Sequence, residues 1–297
     1  MNSSIGEALR SRVRNLESMP AMPTILGPLM RFLELPPDEI EIEKVSELIS
    51  TDKSIAAQCL RMANSALFSR HKAIETIRGA VISLGALRLR DILWTSFMIR
   101  MAPASLSPLP PTAFWEHSFG TALVSRQLAK KIALPDPEKA YLCGLLHDIG
   151  ELVNSTLLPD EFRATTHFAI EKNLAPYEAE KQRLGFTHCD TGKLLAESWN
   201  LPPDIASVIE FHHKPEDAPR TTAFPALVNL ADLLCRLRGM GYGYDELGEI
   251  DFHEAPAWAL LEKAVPHLER LDVARFTLEL DAEAEEIRLL VASAFPA

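Results

Sequence analysis

The chain has 297 residues, of which 47% are hydrophobic, and its formal net charge is −11. This composition predicts a globular protein with one large or two modest cores. An acidic chain repels phosphate backbones, so nucleic acid is not an expected partner. The most apolar window, residues 91–101, is far shorter than the roughly 20 apolar residues of a membrane span, so no membrane partner is expected either.

The four cysteines, Cys59, Cys143, Cys189 and Cys235, lie far apart and form no CxxC motif. Three of them sit in apolar helical patterns, which is typical of reduced thiols in a cytosolic core. No apolar segment follows the early arginines, so we expect no signal peptide and a cytoplasmic protein.

Apolar residues recur at helical spacing along the chain, with almost no period-two alternation. In chain order, this spacing predicts helices over 37–49, after a cap at residue 52, around residue 117, over 137–150, over 225–239 and in the last forty residues. Asp136 and Pro137 supply an N-cap and a first-turn proline, and Gly239 can take a left-handed C-cap. The sequence therefore predicts an all-α fold.

Four prolines crowd residues 101–111, MAPASLSPLPP. Proline removes backbone donors and excludes helix, so this stretch predicts a linker. We predict an N-terminal helical lobe over 1–105 and a second helical lobe, with the C-terminal helices, over 106–297. No early acidic pair leads into an alternating βα pattern, so no receiver domain is expected.

Ionisable side chains interrupt the apolar patterns of the second lobe. In GLLHDIGEL, residues 144–152, His147 and Asp148 directly follow helix-core residues. A buried carboxylate is costly unless it is paired or binds a cation, and imidazole with carboxylate suits first-row transition metals. Several helices can project such ligands into one core. The candidate metal ligands are His117, His147, Asp148, His188, His212, His213 and Asp232.

The alternative is ordinary core polarity, in which each of these side chains is satisfied separately. A single histidine on an apolar helical face is more often a core residue than a ligand. The metal hypothesis therefore requires that the side chains converge in one pocket of the second lobe.

The order of these residues resembles that of the HD superfamily of metal-dependent phosphohydrolases, and the extra histidines resemble its binuclear HD-GYP branch. The resemblance implies an HD-like helical bundle and one divalent ion held by His117, His147, Asp148 and Asp232. It implies a second ion held by Asp148, His188, His212 and His213, with Asp148 bridging. Two such ions could generate hydroxide and clamp a phosphodiester. Fe, Mn, Zn and Ni all suit these ligands, and in an active enzyme Asp148 is the expected catalytic residue.

The sequence departs from the HD-GYP pattern at three places. Glu151 stands where that branch has lysine, and so replaces a cation with an anion. His213 is not followed by a glycine-tyrosine-proline loop, and the Gly241-Tyr242 pair lies elsewhere. Ala113 stands where an acidic residue precedes the first histidine. These differences argue against cyclic-dinucleotide hydrolysis more than against metal binding.

The first lobe resembles the HDOD domain, an HD-related output domain of bacterial signalling proteins. The matching motifs are PAMP at 20–23, LISTD at 48–52, RMANSA at 61–66 and AVISLG at 80–85, and the resemblance spans about 16–213. It implies regulation through protein partners, with no established common activity. The turn over 64–70 is either scaffold or a partner contact near the lobe interface.

Three functions remain open. The leading hypothesis is a signalling module that acts through protein partners and senses a metal or a nucleotide at the histidine cluster. The second is a metal-dependent phosphohydrolase acting on a nucleotide or cyclic dinucleotide. The third is a transcription factor with a helix-turn-helix within 54–93, which the dominance of apolar positions there disfavours.

Overall fold

The computed structural model describes residues 27–28, 39–65, 73–101, 110–219, 223–242, 252–266, 268 and 271–294. Within these ranges every regular element is a helix, which confirms the predicted all-α class. The α-helices are α1 (Ile42–Ser50), α2 (Lys53–Ala63), α3 (Ile77–Met101), α4 (Pro111–Lys131), α5 (Pro137–Leu146), α6 (Ile149–Leu157), α7 (Pro159–Lys172), α8 (Pro176–Arg183), α9 (His188–Ser198), α10 (Pro203–Phe211), α11 (Phe224–Leu237), α12 (Pro256–Ala264) and α13 (Val273–Ala294). Among the described residues, no helix combines the length and the apolar character needed to cross a membrane.

The described residues divide into two compact units. Residues 110–284 form one, called here the histidine unit, and residues up to 101 together with 285–294 form the N-terminal unit. The stretch 102–109, which contains the predicted lobe boundary, lies outside the described residues, as does the motif at 20–23. The predicted limits 1–105 and 106–297 therefore stay a prediction.

Helices α1, α2 and α3 pack together in the N-terminal unit. The predicted cap at Asp52 is confirmed, since its Oδ1 accepts a hydrogen bond from the backbone of Ile55 at 3.1 Å. α3 is interrupted at Gly85, whose backbone (φ 77°, ψ 166°) is open to glycine and costly for other residues.

Asn64 connects the described segments on either side of residues 66–72. Its Nδ2 donates to the carbonyl of Ile74 at 2.8 Å, and its Oδ1 accepts from the Ile74 backbone at 2.7 Å. This reciprocal pair supports a scaffold role for Asn64. Residues 66–70 of the predicted partner-contacting turn lie outside the described ranges, so that contact stays a prediction.

One predicted helix of the histidine unit is two helices in the structure. The sequence predicts a continuous helix over 137–150, but α5 ends at Leu146 and α6 begins at Ile149. Asp136 caps the start as predicted, accepting a hydrogen bond from the Lys139 backbone at 2.9 Å. Apolar periodicity continues across the break and hides it, because the two turn residues, His147 and Asp148, are buried like their neighbours.

Two glycines let the helices of this unit approach closely. A Cβ on Gly144 would lie 2.6 Å from the carbonyl oxygen of Thr121 in α4. A Cβ on Gly150 would lie 1.9 Å from the carbonyl oxygen of His188, where α9 begins. Because glycine has no side chain, the chain at the α5–α6 turn can lie against α4 on one side and α9 on the other.

The end of α11 returns the chain towards α4. Gly239 adopts the predicted left-handed conformation (φ 70°), and the Met240 backbone donates to the carbonyl of Cys235 at 2.9 Å. Met240 and Tyr242 are both buried after this turn. The segment directly after Gly239 thus becomes part of the interior around His117.

Candidate metal centre

The structure brings all seven predicted ligand residues into one interior region of the histidine unit. The side chains come from α4, the α5–α6 turn, the first residue of α9, the two residues after α10, and α11. Every one of them except the half-buried His213 is at most 3% exposed. The convergence that the metal hypothesis requires is therefore found, while the binding of an ion stays a prediction.

The first ligand group consists of His117, His147, Asp148 and Asp232. His117 Nε2 lies 3.2 Å from both His147 Nε2 and Asp232 Oδ1. Asp148 Oδ2 lies 3.4 Å from His117 Nε2 and 3.1 Å from His147 Nε2. Ligands at about 2.1 Å from a tetrahedral ion are about 3.4 Å apart. The spacing of His117, His147 and Asp148 therefore fits an ion between them, and Asp232 adjoins this position beside His117.

The second ligand group consists of Asp148, His188, His212 and His213. Asp148 Oδ1 lies 3.3 Å from His188 Nε2 and 3.1 Å from His212 Nε2. His188 Nε2 lies 3.4 Å from His212 Nε2 and 3.1 Å from His213 Nε2. Asp148 thus turns one oxygen to each group, and its buried Oδ1 accepts no hydrogen bond from any described residue.

The far nitrogens of four histidines are held by oxygen acceptors. Hydrogen bonds from Nδ1 run from His117 to the Met240 carbonyl (2.8 Å), from His147 to the Gly144 carbonyl (2.7 Å), from His188 to Glu180 Oε2 (2.7 Å) and from His212 to the Val208 carbonyl (3.1 Å). An imidazole that donates from Nδ1 can present the lone pair of Nε2 to a cation. The donor set therefore fits a divalent transition metal in both groups.

The carboxylates of the centre are ionised. Burial raises the pKa of Asp148, but His147, His117 and His188 hold it well below its ordinary value. Burial likewise raises the pKa of Asp232, but Arg236 and His117 hold it well below the ordinary value. Asp148 and Asp232 thus each carry a negative charge that can bind a cation.

The negative charges near the imidazoles raise the pKa values of two of these rings. Burial lowers the pKa of His117, but Asp148 and Asp232 raise it to about 10. Burial also lowers the pKa of His212, while Cys189 and Asp148 raise it to about 10. At neutral pH these two rings therefore carry protons that an arriving ion would displace.

The sequence analysis did not predict two contacts made by the carboxylates of the centre. Arg236 Nε lies 2.9 Å from Asp232 Oδ1, and its Nη2 lies 2.5 Å from Oδ2, so Arg236 clamps this carboxylate. The hydroxyl of Tyr242 donates to Asp148 Oδ2, although the Gly241-Tyr242 pair is remote in sequence. The four-residue spacing of Asp232 and Arg236 on a helix could have revealed the first contact; Tyr242 gave no local signal.

Glu151 lies behind His188, next to the ring nitrogen that points away from Asp148. Its Oε1 is 3.4 Å from His188 Nδ1, whereas Glu180 Oε2 accepts from both the Nδ1 and the backbone of His188. Burial, together with the neighbouring Glu180, raises the pKa of Glu151 well above its ordinary value. The position of the HD-GYP lysine is therefore occupied by a buried carboxyl group whose charged form is disfavoured by burial and by Glu180.

A cleft of about 370 Å³ leads to the second ligand group at His213. Its walls include Tyr177, Lys181, Phe186, Cys189, Phe211 and Lys214. The Tyr177 ring lies 4.7 Å from the His213 ring. The cleft thus combines aromatic faces with two lysines beside His213, the one predicted ligand that is not fully buried. Its lining also includes three acidic residues, Asp190, Glu210 and Asp217.

Comparisons with known proteins agree with this architecture. The HDOD domain model matches residues 19–215. The crystal structure of an HDOD domain protein from Geobacter sulfurreducens is 28% identical, with a TM-score of 0.83 over 98% of this chain and 99% of that one. A protein of Shewanella amazonensis, provisionally named a phosphohydrolase, is 25% identical, with a TM-score of 0.71 over 96% of this chain and 98% of that one.

A protein of Treponema pallidum is 26% identical over 275 residues, which are 91% of this chain and 51% of the relative. This chain therefore spans about half the length of that relative. The family match covers well over half of the residues and includes most of the centre described above. The chain belongs to the HDOD domain family, which is related to the HD phosphohydrolases.

Proposed function

We propose that this chain is a signalling module whose histidine unit binds divalent transition-metal ions and acts through a protein partner. One observation carries the metal proposal: seven side chains from separate segments form two four-atom groups that share Asp148. Separately satisfied core residues would not need to turn the nitrogens of several rings towards one another. Fe, Mn, Zn and Ni are all compatible with nitrogen and oxygen ligands of this kind.

The origin of the ligands suggests how an ion could act as a signal. Five of the seven stand at the junction of α5 and α6, at the start of α9 and at the end of α10, and the other two lie within α4 and α11. An ion bound by all of them would hold these helix ends at fixed distances. Occupancy of the centre would thereby change the rigidity of the histidine unit, which a protein partner could sense.

The metal proposal is tested by metal analysis after exposure to Fe²⁺, Mn²⁺, Zn²⁺ or Ni²⁺ and dialysis. The wild-type chain is expected to retain metal, and Asp148→Asn is expected to lose it from both groups. His167→Asn is the matched control, because His167 is an exposed histidine of the same unit. A wild-type chain that retains none of these metals would contradict the proposal.

The partner proposal has its own test. Cross-linking in cells, followed by mass spectrometry, is expected to join a specific protein to the wild type and to His167→Asn. The same protein should be lost with Asp148→Asn. Identical cross-links from all three chains would separate the partner from the metal centre and contradict this mode of signalling.

A second candidate function is metal-dependent hydrolysis of a phosphate ester. The cleft that leads to His213 favours it, because Tyr177 offers a face to a planar ring and Lys181 and Lys214 can bind phosphate, although Asp190, Glu210 and Asp217 share the lining. Bound ions would supply an activated water and would stabilise charge on the phosphate. The similarity to the Shewanella protein supports this candidate.

Hydrolysis is tested with nucleotides, cyclic dinucleotides and a generic phosphodiester in the presence of Mn²⁺ or Fe²⁺. An active enzyme should lose turnover in Asp148→Asn, the expected catalytic variant, and should bind substrate more weakly in Lys214→Ala. Absence of turnover with all of these substrates would leave the signalling module as the function.

A further inference from the structure

Cys189 lies beside the second ligand group. It is the second residue of α9, directly after His188, and its side chain lines the cleft. Its Sγ is 4.0 Å from His212 Nδ1. Sγ and one donor nitrogen each from His188, His212 and His213 all lie within 4.8 Å of one another.

Asp148 Oδ1 is the one anionic atom among the predicted ligands of the second group, while the Asp232 carboxylate of the first group is already paired with Arg236. The first group contains the carboxylate of Asp232 in addition to one oxygen of Asp148, whereas the second adds three imidazoles to the other oxygen. A dication there gains little charge compensation from neutral rings. A thiolate would supply the missing anion from a residue that is already adjacent.

The distances require the Cys189 side chain to move towards the ion. Sulfur at about 2.3 Å and nitrogen at about 2.0 Å from a tetrahedral ion are about 3.5 Å apart. The 4.0 Å contact of Sγ is with His212 Nδ1, whereas His212 Nε2 faces the second ligand group. Since the sulfur and one donor nitrogen of each ring lie within 4.8 Å of one another, the sulfur must move by up to about 1.3 Å for shared coordination. Cysteine has a single side-chain torsion, so a rotation about it can close a gap of this size.

We propose that Cys189 Sγ is a ligand of the ion held by His188, His212 and His213. This inference rests on the metal binding proposed above. A sulfur ligand would favour Zn²⁺ or Fe²⁺ in this group over Mn²⁺, which prefers oxygen ligands. The two ligand groups would then differ in metal preference.

Cobalt substitution separates this inference from the metal proposal itself. Co²⁺ bound by any of the ligands gives visible d–d bands, and a sulfur ligand adds a near-ultraviolet charge-transfer band. The wild type is expected to show both. Cys189→Ser is expected to keep the d–d bands and lose the charge-transfer band.

Cys143→Ser is the matched control. Cys143 is fully buried in the same unit, and its charged neighbours are Asp204, Lys139 and Asp136 rather than histidines. It should keep both spectral features. Visible bands without a charge-transfer band in the wild type would overturn the sulfur ligand but not metal binding. A charge-transfer band that survives in Cys189→Ser would also overturn the sulfur ligand. Absence of visible bands in the wild type would overturn metal binding as well.

Thiol alkylation gives a second readout that uses the wild-type chain alone, so its result does not depend on whether a variant folds. With the wild-type chain, iodoacetamide is expected to label Cys189 after chelation and to be excluded after Zn²⁺ loading. Peptide mapping identifies the labelled thiol. Equal labelling of Cys189 in the two samples would contradict the proposal.

Discussion

Glu180 orients a predicted ligand without facing the ion. It accepts from His188 Nδ1 at 2.7 Å and from the backbone of the same residue at 2.8 Å. Loss of such a supporting carboxylate typically weakens metal affinity about 10–100-fold. Glu180→Gln should show a loss of this size in a competition with a chelator of known affinity.

The control for this measurement is Glu178→Gln. Glu178 lies on the same helix, but it is exposed. It should bind metal like the wild type. Equal affinities for Glu180→Gln and Glu178→Gln would mean that Glu180 has no part in holding His188 for the ion.

Metal uptake should release protons. The pKa values of His117 and His212 are raised to about 10 by nearby carboxylate and thiol groups, although burial alone would lower them. Both rings are therefore protonated at neutral pH, and an ion must displace those protons. Apparent metal affinity should rise as the pH increases through neutrality, with proton release measured by calorimetry in buffers of different ionisation enthalpy. Affinity that does not change with pH would contradict this.

The sequence revealed the ligands better than it revealed what supports them. His147 and Asp148 interrupt an apolar pattern, and this conflict is visible without a structure. Glu180, Cys189 and Tyr242 sit in patterns that carry no such conflict, and their partners come from other helices. Only the packing of α8, α9 and the segment after α11 brings them to the centre.

At the scale of helices, the approach of α6 to α9 depends on Gly150. A Cβ at this position would meet the carbonyl oxygen of His188 at 1.9 Å, and backbone cannot move aside like a flexible side chain. Gly150→Ala should therefore destabilise the chain by about 1–3 kcal/mol or more. Urea unfolding measures this loss, and Gly150→Ser should be at least as damaging.

Gly85 should respond differently. Its conformation (φ 77°) is strained for other residues, but no described atom lies within 4 Å of the position of a Cβ. Gly85→Ala should cost about 1–3 kcal/mol from backbone strain alone. Gly85→Leu should then cost about the same in urea unfolding. A much larger loss for leucine would indicate a steric contact at this position.

Helix ends were predictable where they carry local chemistry. Asp52, Asp136 and Gly239 act at their own helix ends, and each prediction is confirmed. The break between α5 and α6 was missed because burial on both sides preserves the apolar pattern. Its cause is tertiary, since the turn lies between α4 and α9 at two glycine contacts.

At the scale of the whole molecule, metal removal should loosen the histidine unit selectively. A ligand at 100 times its Kd adds about 2.7 kcal/mol to the free energy of unfolding. Chelation should therefore increase hydrogen exchange in α4, α6, α9, α10 and α11. Exchange in α1 and α2, which lie in the N-terminal unit, should stay unchanged, and Asp148→Asn should show no response to chelator.

The fold class and the family were predictable because several motifs recur in order over most of the chain. Partner, signal and metal identity leave no such pattern. Similar imidazole and carboxylate ligands serve several metals, and a partner surface need not interrupt any periodicity.

The bridging position of Asp148 has an electrostatic consequence for a fully loaded centre. Two dications would bring four positive charges to a buried pocket in which Asp148 and Asp232 supply two negative charges. The charge of Asp232 is already paired with that of Arg236. Even with a thiolate from Cys189, positive charge would remain in excess. Full loading should therefore depend on a dissolved counter-anion, such as phosphate, that enters with the second ion.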